Sequence, residues 1–311
     1  MSTRSEAVPE SAAAAPAAGA APSPTRPFFW SVRREVWENR SLYVGPLVVA
    51  SVVLLSFALS AMVNLPRRLR GLSALDPGQQ RVTLASPYSV GATMIMFAAV
   101  VVAVFYCLDA LHGERRDRSI LFWKSLPVSD RTTVLSKLAV PLVVLPLFSL
   151  AISLATQLLM FGFANLVALA SGAGAGALWT RLPLLPMWVA MVYGLVVHAL
   201  WHAPLYAWLL LVSAWARRAP LVWAVLPLLV IGAFEAMAFN TSHFARWVGY
   251  RVGGAMQVAF NLKPKGHEII HSFGQLDPLG FLGSSGLWNG LLAAALLVAL
   301  TIRLRRRAEP L

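Results

Sequence analysis

The chain has 311 residues, of which 58% are hydrophobic and 13% charged, with a mean hydropathy of +0.67. A soluble domain averages about 45–50% apolar and about 25% charged residues, so this chain has too little polar surface to cover a water-soluble globule. The formal net charge of +13 does not read as a nucleic-acid footprint, because Lys and Arg fall mainly in short loops beside apolar runs.

Met1 to Pro27 is rich in Ala, Pro and Ser, lacks the apolar run of a signal peptide, and reads as a disordered tail before a membrane domain over 28–311. The tail is followed by a segment expected to be helical. In it Phe28, Phe29, Val32 and Val36 share one face beside Trp30 and Trp37, with Glu35 and Glu38 opposite. This is the pattern of a helix lying in the membrane interface, with Arg33 and Arg40 free to reach headgroups.

About 20 apolar residues are needed to cross the hydrocarbon core. Six runs meet that need, at about 42–63, 88–111, 138–163, 187–214, 221–239 and 287–302. The expected fold is therefore an all-α integral membrane protein. Pro141 and Pro146 are expected to bend the third span. The last run is short, and the apolar stretch from Gly280 is available to lengthen it. Six spans put both termini on one side. The termini with the loops at 112–137 and 215–220 hold 17 basic residues, against 9 in the opposite loops. The bias toward basic cytoplasmic loops places both termini in the cytoplasm. Arg67, Arg68, Arg70 and Arg81 run against it by crowding the first outer loop. The single cysteine, Cys107, lies within a span and forms no internal disulfide.

Between the second and third spans, His112–Lys137 begins with the charged cluster Glu114, Arg115, Arg116, Asp117 and Arg118. An apolar face at Ile120, Leu121 and Trp123 follows. Pro127 ends this short helix, and Ser129 or Asp130 can cap the next. By local physics it is equally a partner-docking helix or a solvated run that fixes topology.

The segment resembles the cytoplasmic loop of type-2 ABC exporter permeases, in Glu114, Arg115, Leu126, Pro127, Val128, Ser129 and Lys137. The six-span layout and the long outer loop before the last span are similar as well. The resemblance implies the transmembrane permease subunit of an ATP-driven exporter in the bacterial inner (plasma) membrane. It implies a second permease subunit, as a homodimer or heterodimer, and cytoplasmic ABC ATPase subunits that bind ATP and Mg. Glu114 to Arg118 and Trp123 would then couple the membrane domain to the ATPase. No Gly-Lys dipeptide occurs, so the chain has no P-loop of its own and ATP hydrolysis would belong to the partner.

Three further groups invite chemistry. Glu235, within the fifth span, is a candidate for the translocation path or for pairing with an Arg or His of another helix, whereas Asp109 sits near enough to the interface to be solvated. His198 and His202 stand four apart on one face of the fourth span. A hydrogen-bonded pair facing the bundle interior fits them better than a metal site, because no converging ligand is visible. With Glu235 they would serve an ion-driven secondary transporter in an alternative reading. His267, Glu268 and His271 spell H-E-x-x-H, with Asp277 in place for a third zinc ligand, the pattern of a membrane-bound metallopeptidase. Against that, no methionine follows Met256 to form the family's Met-turn, and the loop is too short for the supporting sheet. Loop histidines are the better reading.

Overall fold

The computed structural model describes residues 25–125, 128–172, 176–261 and 273–307. Among these the secondary structure is helical, with only an isolated bridge between Phe260 and Leu276. Six helices are long and apolar enough to cross a membrane, as the composition requires.

Helix α1 (Thr25–Glu38) precedes α2 (Ser41–Gly71) and α3 (Pro77–Ala110). The latter two run well beyond the 42–63 and 88–111 expected from hydropathy. The first loop shrinks to a 3-10 turn at Leu72–Ala74 and Asp76, whose carboxylate caps α3 through the amides of Gly78 and Gln79. Hydropathy marks only the part of a helix inside hydrocarbon, and a capped continuation is invisible to it.

Short α4 (His112–Arg116) and α5 (Ile120–Ser125) lead to α6 (Asp130–Ala139), where Ser129 is the N-cap and accepts from the Thr132 amide at 3.1 Å. A π turn at Val140–Val144 then joins α6 to α7 (Leu145–Ala170). In this turn the Leu145 amide bonds the Val140 carbonyl. The next carbonyl, that of Pro141, would pair with residue 146, which is proline and has no N–H. The two prolines thus widen the helix locally.

After α8 (Gly176–Arg181), the expected fourth span 187–214 proves to be two helices, α9 (Leu184–Trp201) and α10 (Ala203–Trp215). Pro204 cannot donate to the Leu200 carbonyl, and its ring crowds that turn, so the helix breaks at His202. Helix α11 (Pro220–Phe239) follows as expected. The long segment after it forms α12 (His243–Gly253), α13 (Ala255–Ala259) and α14 (Pro278–Gly283). The last helix, α15 (Ser285–Arg307), gains its length at its basic C-terminal end; the stretch from Gly280 belongs to the separate α14.

Helices α2, α3 and α7 pack as one tight unit, and α10 packs against α15 and α3. In lipid no hydrophobic force draws helices together, so close backbone approach and interhelical hydrogen bonds must do so. Gly91 is required for this: a Cβ there would meet Val53 Cγ1 at 2.8 Å, and one at Gly45 would meet Val102 Cγ2 at 2.8 Å. Gln157 ties three helices, donating to the Tyr88 carbonyl at 3.3 Å and accepting from Trp188 Nε1 at 2.8 Å. Helix α11 is the exception, with Ala224 its one buried residue.

Candidate functional site

The most concentrated chemistry lies where α1, α4, α6 and the C-terminal end of α15 meet. Glu35 comes from α1, where Ser31, Val32, Val36 and Asn39 form its inward face. The sequence reading put Glu35 on the polar side with Glu38. In the structure Glu35 is 1% exposed, while Phe29, Trp30 and Trp37 face outward. The correction has a physical cause: α1 packs against α6, and a cation there, Lys137, offsets the cost of burying the carboxylate.

Lys137 Nζ lies 2.8 Å from Glu35 Oε1 and 3.1 Å from Glu114 Oε1. Arg34 reaches Glu35 at 2.8 Å and Glu114 at 3.6 Å, and its guanidinium covers the Trp123 ring at 3.7 Å. Arg305 pairs with the second oxygen of Glu114 and, at 3.2 Å, with Asp130. Tyr106 donates to the remaining oxygen of Glu35 at 2.8 Å. Four carboxylates, counting Glu38 at 3.6 Å from Arg34, therefore meet three cations drawn from four segments, and Glu35, Glu114, Lys137 and Arg305 are all buried.

Glu114 Oε1 and Arg305 Nε contribute through charge rather than through aligned hydrogen bonds. Burial alone would push the Glu35 carboxyl up, but Lys137 and Arg34 outweigh it and hold the group below its ordinary value. The cluster can act as a mechanical node, because displacing any one segment strips the partners from buried charges.

The turn before it is equally tied down. The Leu111 and His112 amides both donate to Ser213 Oγ, at 3.0 and 2.9 Å. Arg115 donates to the Ala214 and Ala216 carbonyls at the end of α10. Of the six residues expected to meet a partner, Glu114 and Arg115 thus face inward, whereas Arg116, Asp117 and Arg118 are exposed. Arg118 has a φ of 58° and turns the chain into α5. Trp123 is half-covered by Arg34. The apolar face of α5 divides: Ile120 enters the core, and Leu121 and its neighbour Phe122 point outward, 59% and 58% exposed.

The other candidates are separate from this node. His198 Nε2 lies 3.1 Å from Tyr206 Oη. His202 stacks on His198 with ring centroids 4.6 Å apart and bonds the Val252 carbonyl. The pair therefore serves the helix break, and His198 borders a cavity of about 230 Å³ between α3, α7, α9 and α10 that Pro141 of the π turn also lines. Glu235 caps the start of α12, accepting from Thr241 Oγ1 and from the His243 and Phe244 amides, each at 2.7 Å. Asp109 is solvent-exposed beside Arg116 at 3.5 Å, as expected. Asp277 caps α14 through the Gly280 amide, while His267, Glu268 and His271 lie outside the described residues. Among the described residues no three His, Cys, Asp or Glu side chains are gathered for a metal.

Sequence reasoning missed Glu35, Arg34 and Arg305 as members of the node. Signals existed: Glu35 interrupts the Val32–Val36 face, and Arg305 continues the buried stripe Leu287, Gly290, Ala294 and Thr301 at spacings of three, four and seven residues. Compared with known proteins, the chain matches no protein-family model, no curated protein and no solved structure.

Proposed function

We propose that the chain is the membrane-embedded permease subunit of an ATP-driven ABC-type exporter, working with a second permease subunit and with separate cytoplasmic ATPases. Both termini would face the cytoplasm, by the excess of Lys and Arg on that side. The observation that carries the reading is the construction of 112–137. Its Glu114 and Lys137 are rooted in the buried node with α1 and α15, while Leu121, Phe122, Arg116 and Asp117 stand out from the surface. A docking helix anchored this way converts a push on α5 into a shift of three other segments. Nucleotide-dependent contacts at α5 would bias the equilibrium between two arrangements of the spans, which is all that coupling requires.

The test is affinity purification of the detergent-solubilised protein from its native membranes, followed by mass spectrometry and an ATPase assay. The expected result is a stoichiometric P-loop ATPase, lost from L121E/F122E although that variant remains folded and monodisperse. Absence of any ATPase from the wild-type preparation overturns the proposal. One zinc per chain, lost on His267→Ala, would support the metallopeptidase instead.

A further inference from the structure

Of the arginines that run against the charge bias, Arg67, Arg68 and Arg70 sit about 40 Å along α2 from its start, at a rise of about 1.5 Å per residue, and Arg81 lies near the start of α3. Among the described residues none of Arg67, Arg68, Arg70 and Arg81 forms an ion pair. The nearby acid in sequence, Asp76, is engaged by the Gly78 and Gln79 amides. These exposed guanidiniums therefore remain open to an anionic partner.

Arg68 differs from the others in its position. Ser56, Ser60, Asn64 and Arg68 follow one another at intervals of four along α2, so they form one stripe up the helix. That stripe is one wall of a cavity of about 500 Å³ between α2 and α3, closed behind by Met160 of α7. This lies within the range of about 300–1,000 Å³ typical of ligand sites. The other walls are apolar. Val52, Val90 and Met94 are each more than half exposed at its edge, so the cavity opens sideways, where lipid would be. Tyr88, also in its lining, is 2% exposed and buries its hydroxyl without a partner. A buried hydroxyl left unpaired is uncommon and calls for a ligand group or water.

Polar groups ending in an unpaired arginine on one wall, apolar side chains on the others and a lateral mouth match a molecule of one kind. We propose that this cavity binds one amphiphile with an anionic headgroup. Arg68 receives the phosphate or carboxylate, Ser60 and Asn64 meet the polar linkage below it, and the alkyl chain lies between Val90, Met94 and Met160. The occupant is either a bilayer phospholipid or an anionic amphiphile carried by the protein; the recognition chemistry is the same. The site stands independently of the permease reading, since none of its residues belongs to the node or to α5.

The test is native mass spectrometry of the protein in non-ionic detergent, titrated with phosphatidylglycerol and with phosphatidylcholine of the same chains. One phosphatidylglycerol per chain is expected, preferred about tenfold, the factor that a single charge-assisted contact supplies. Arg68→Ala should bring phosphatidylglycerol down to the phosphatidylcholine level. Ser60→Trp, which fills the cavity without altering charge, should abolish binding of both, and Arg67→Ala should bind as wild type. Unchanged thermal midpoints guard against misfolding. The mass of the adduct retained from native membranes then tells a bilayer phospholipid from a carried amphiphile. Equal binding of the two lipids by the wild type, or wild-type binding by both Arg68→Ala and Ser60→Trp, overturns the proposal. So does a change from dimer to monomer in Ser60→Trp with lipid binding intact, which would assign the groove to a second copy of the chain.

Discussion

The two ends of this helical bundle use arginine in opposite ways. At one end, Arg34 and Arg305 join Lys137 in meeting four carboxylates, and most of these groups are closed off from solvent. At the other, Arg67, Arg68, Arg70 and Arg81 stand exposed and unpaired among the described residues. A buried charge persists only if its partners are held in place, so the first cluster records how the chain is tied together. An exposed unpaired charge imposes no such demand and leaves its partner open. The same residue type is structural where it is compensated and available to a ligand where it is not.

The difference can be broken most forcefully at Lys137. Lys137→Ala leaves Glu35 and Glu114 buried without their shared cation, and a cost of about 3–5 kcal/mol is expected for removing one partner of a buried pair. Thermal unfolding followed by fluorescence-detected size exclusion should show a large fall in midpoint. A shift no larger than that of a surface substitution would mean that the node is not closed to water.

Acid should weaken the same end less severely, since protonating Glu35 removes its charge but not its shape. The Glu35 carboxyl is held below its ordinary value of 4.5. Its stabilising contribution is therefore complete above about pH 5 and disappears as pH falls through the depressed native value. Between pH 6 and 8 this group contributes no pH dependence. Glu35→Gln should flatten the acid limb of the melting curve, and an unaltered limb would remove Glu35 from the account.

The smallest effect belongs to the opposite end. Arg67→Ala and Arg70→Ala should each change stability by no more than about 0.5 kcal/mol, as exposed residues without partners do. A larger loss would show that these arginines have structural partners after all, and the contrast between the two ends would fail.

Much of the architecture could be read directly from the residues. Leu42 to Val63 has no charge, so a helix there is forced by the need to satisfy every backbone group without water. Ser129 was recognisable as a cap because its hydroxyl precedes a helical run. Pro141 and Pro146 announced an irregularity, although not that it would be a π turn. The break at His202 was hidden because the run from Met187 to Ala214 carries no Asp, Glu, Lys or Arg, and hydropathy does not register the carbonyl that Pro204 leaves unpaired.

The candidate site was less legible. Glu114 was singled out within a charge run, yet its role differs from that of its neighbours: it points inward and Arg116 outward. Glu235 drew notice as a charge inside a span, but its three hydrogen bonds come from the chain immediately following, so it shapes a turn. Composition and the length of apolar runs decide how many helices can cross a bilayer, because those are sums over residues that do not depend on neighbours far along the chain. Which charges are buried, and with whom, depends on contacts such as Lys137 with Glu35 and Arg305 with Glu114, separated by 102 and 191 positions. Only the packing of α1, α6 and α15 brings those groups within reach of one another. The energy of a buried charge is set by the partners at that distance, and so the folded chain alone could settle it.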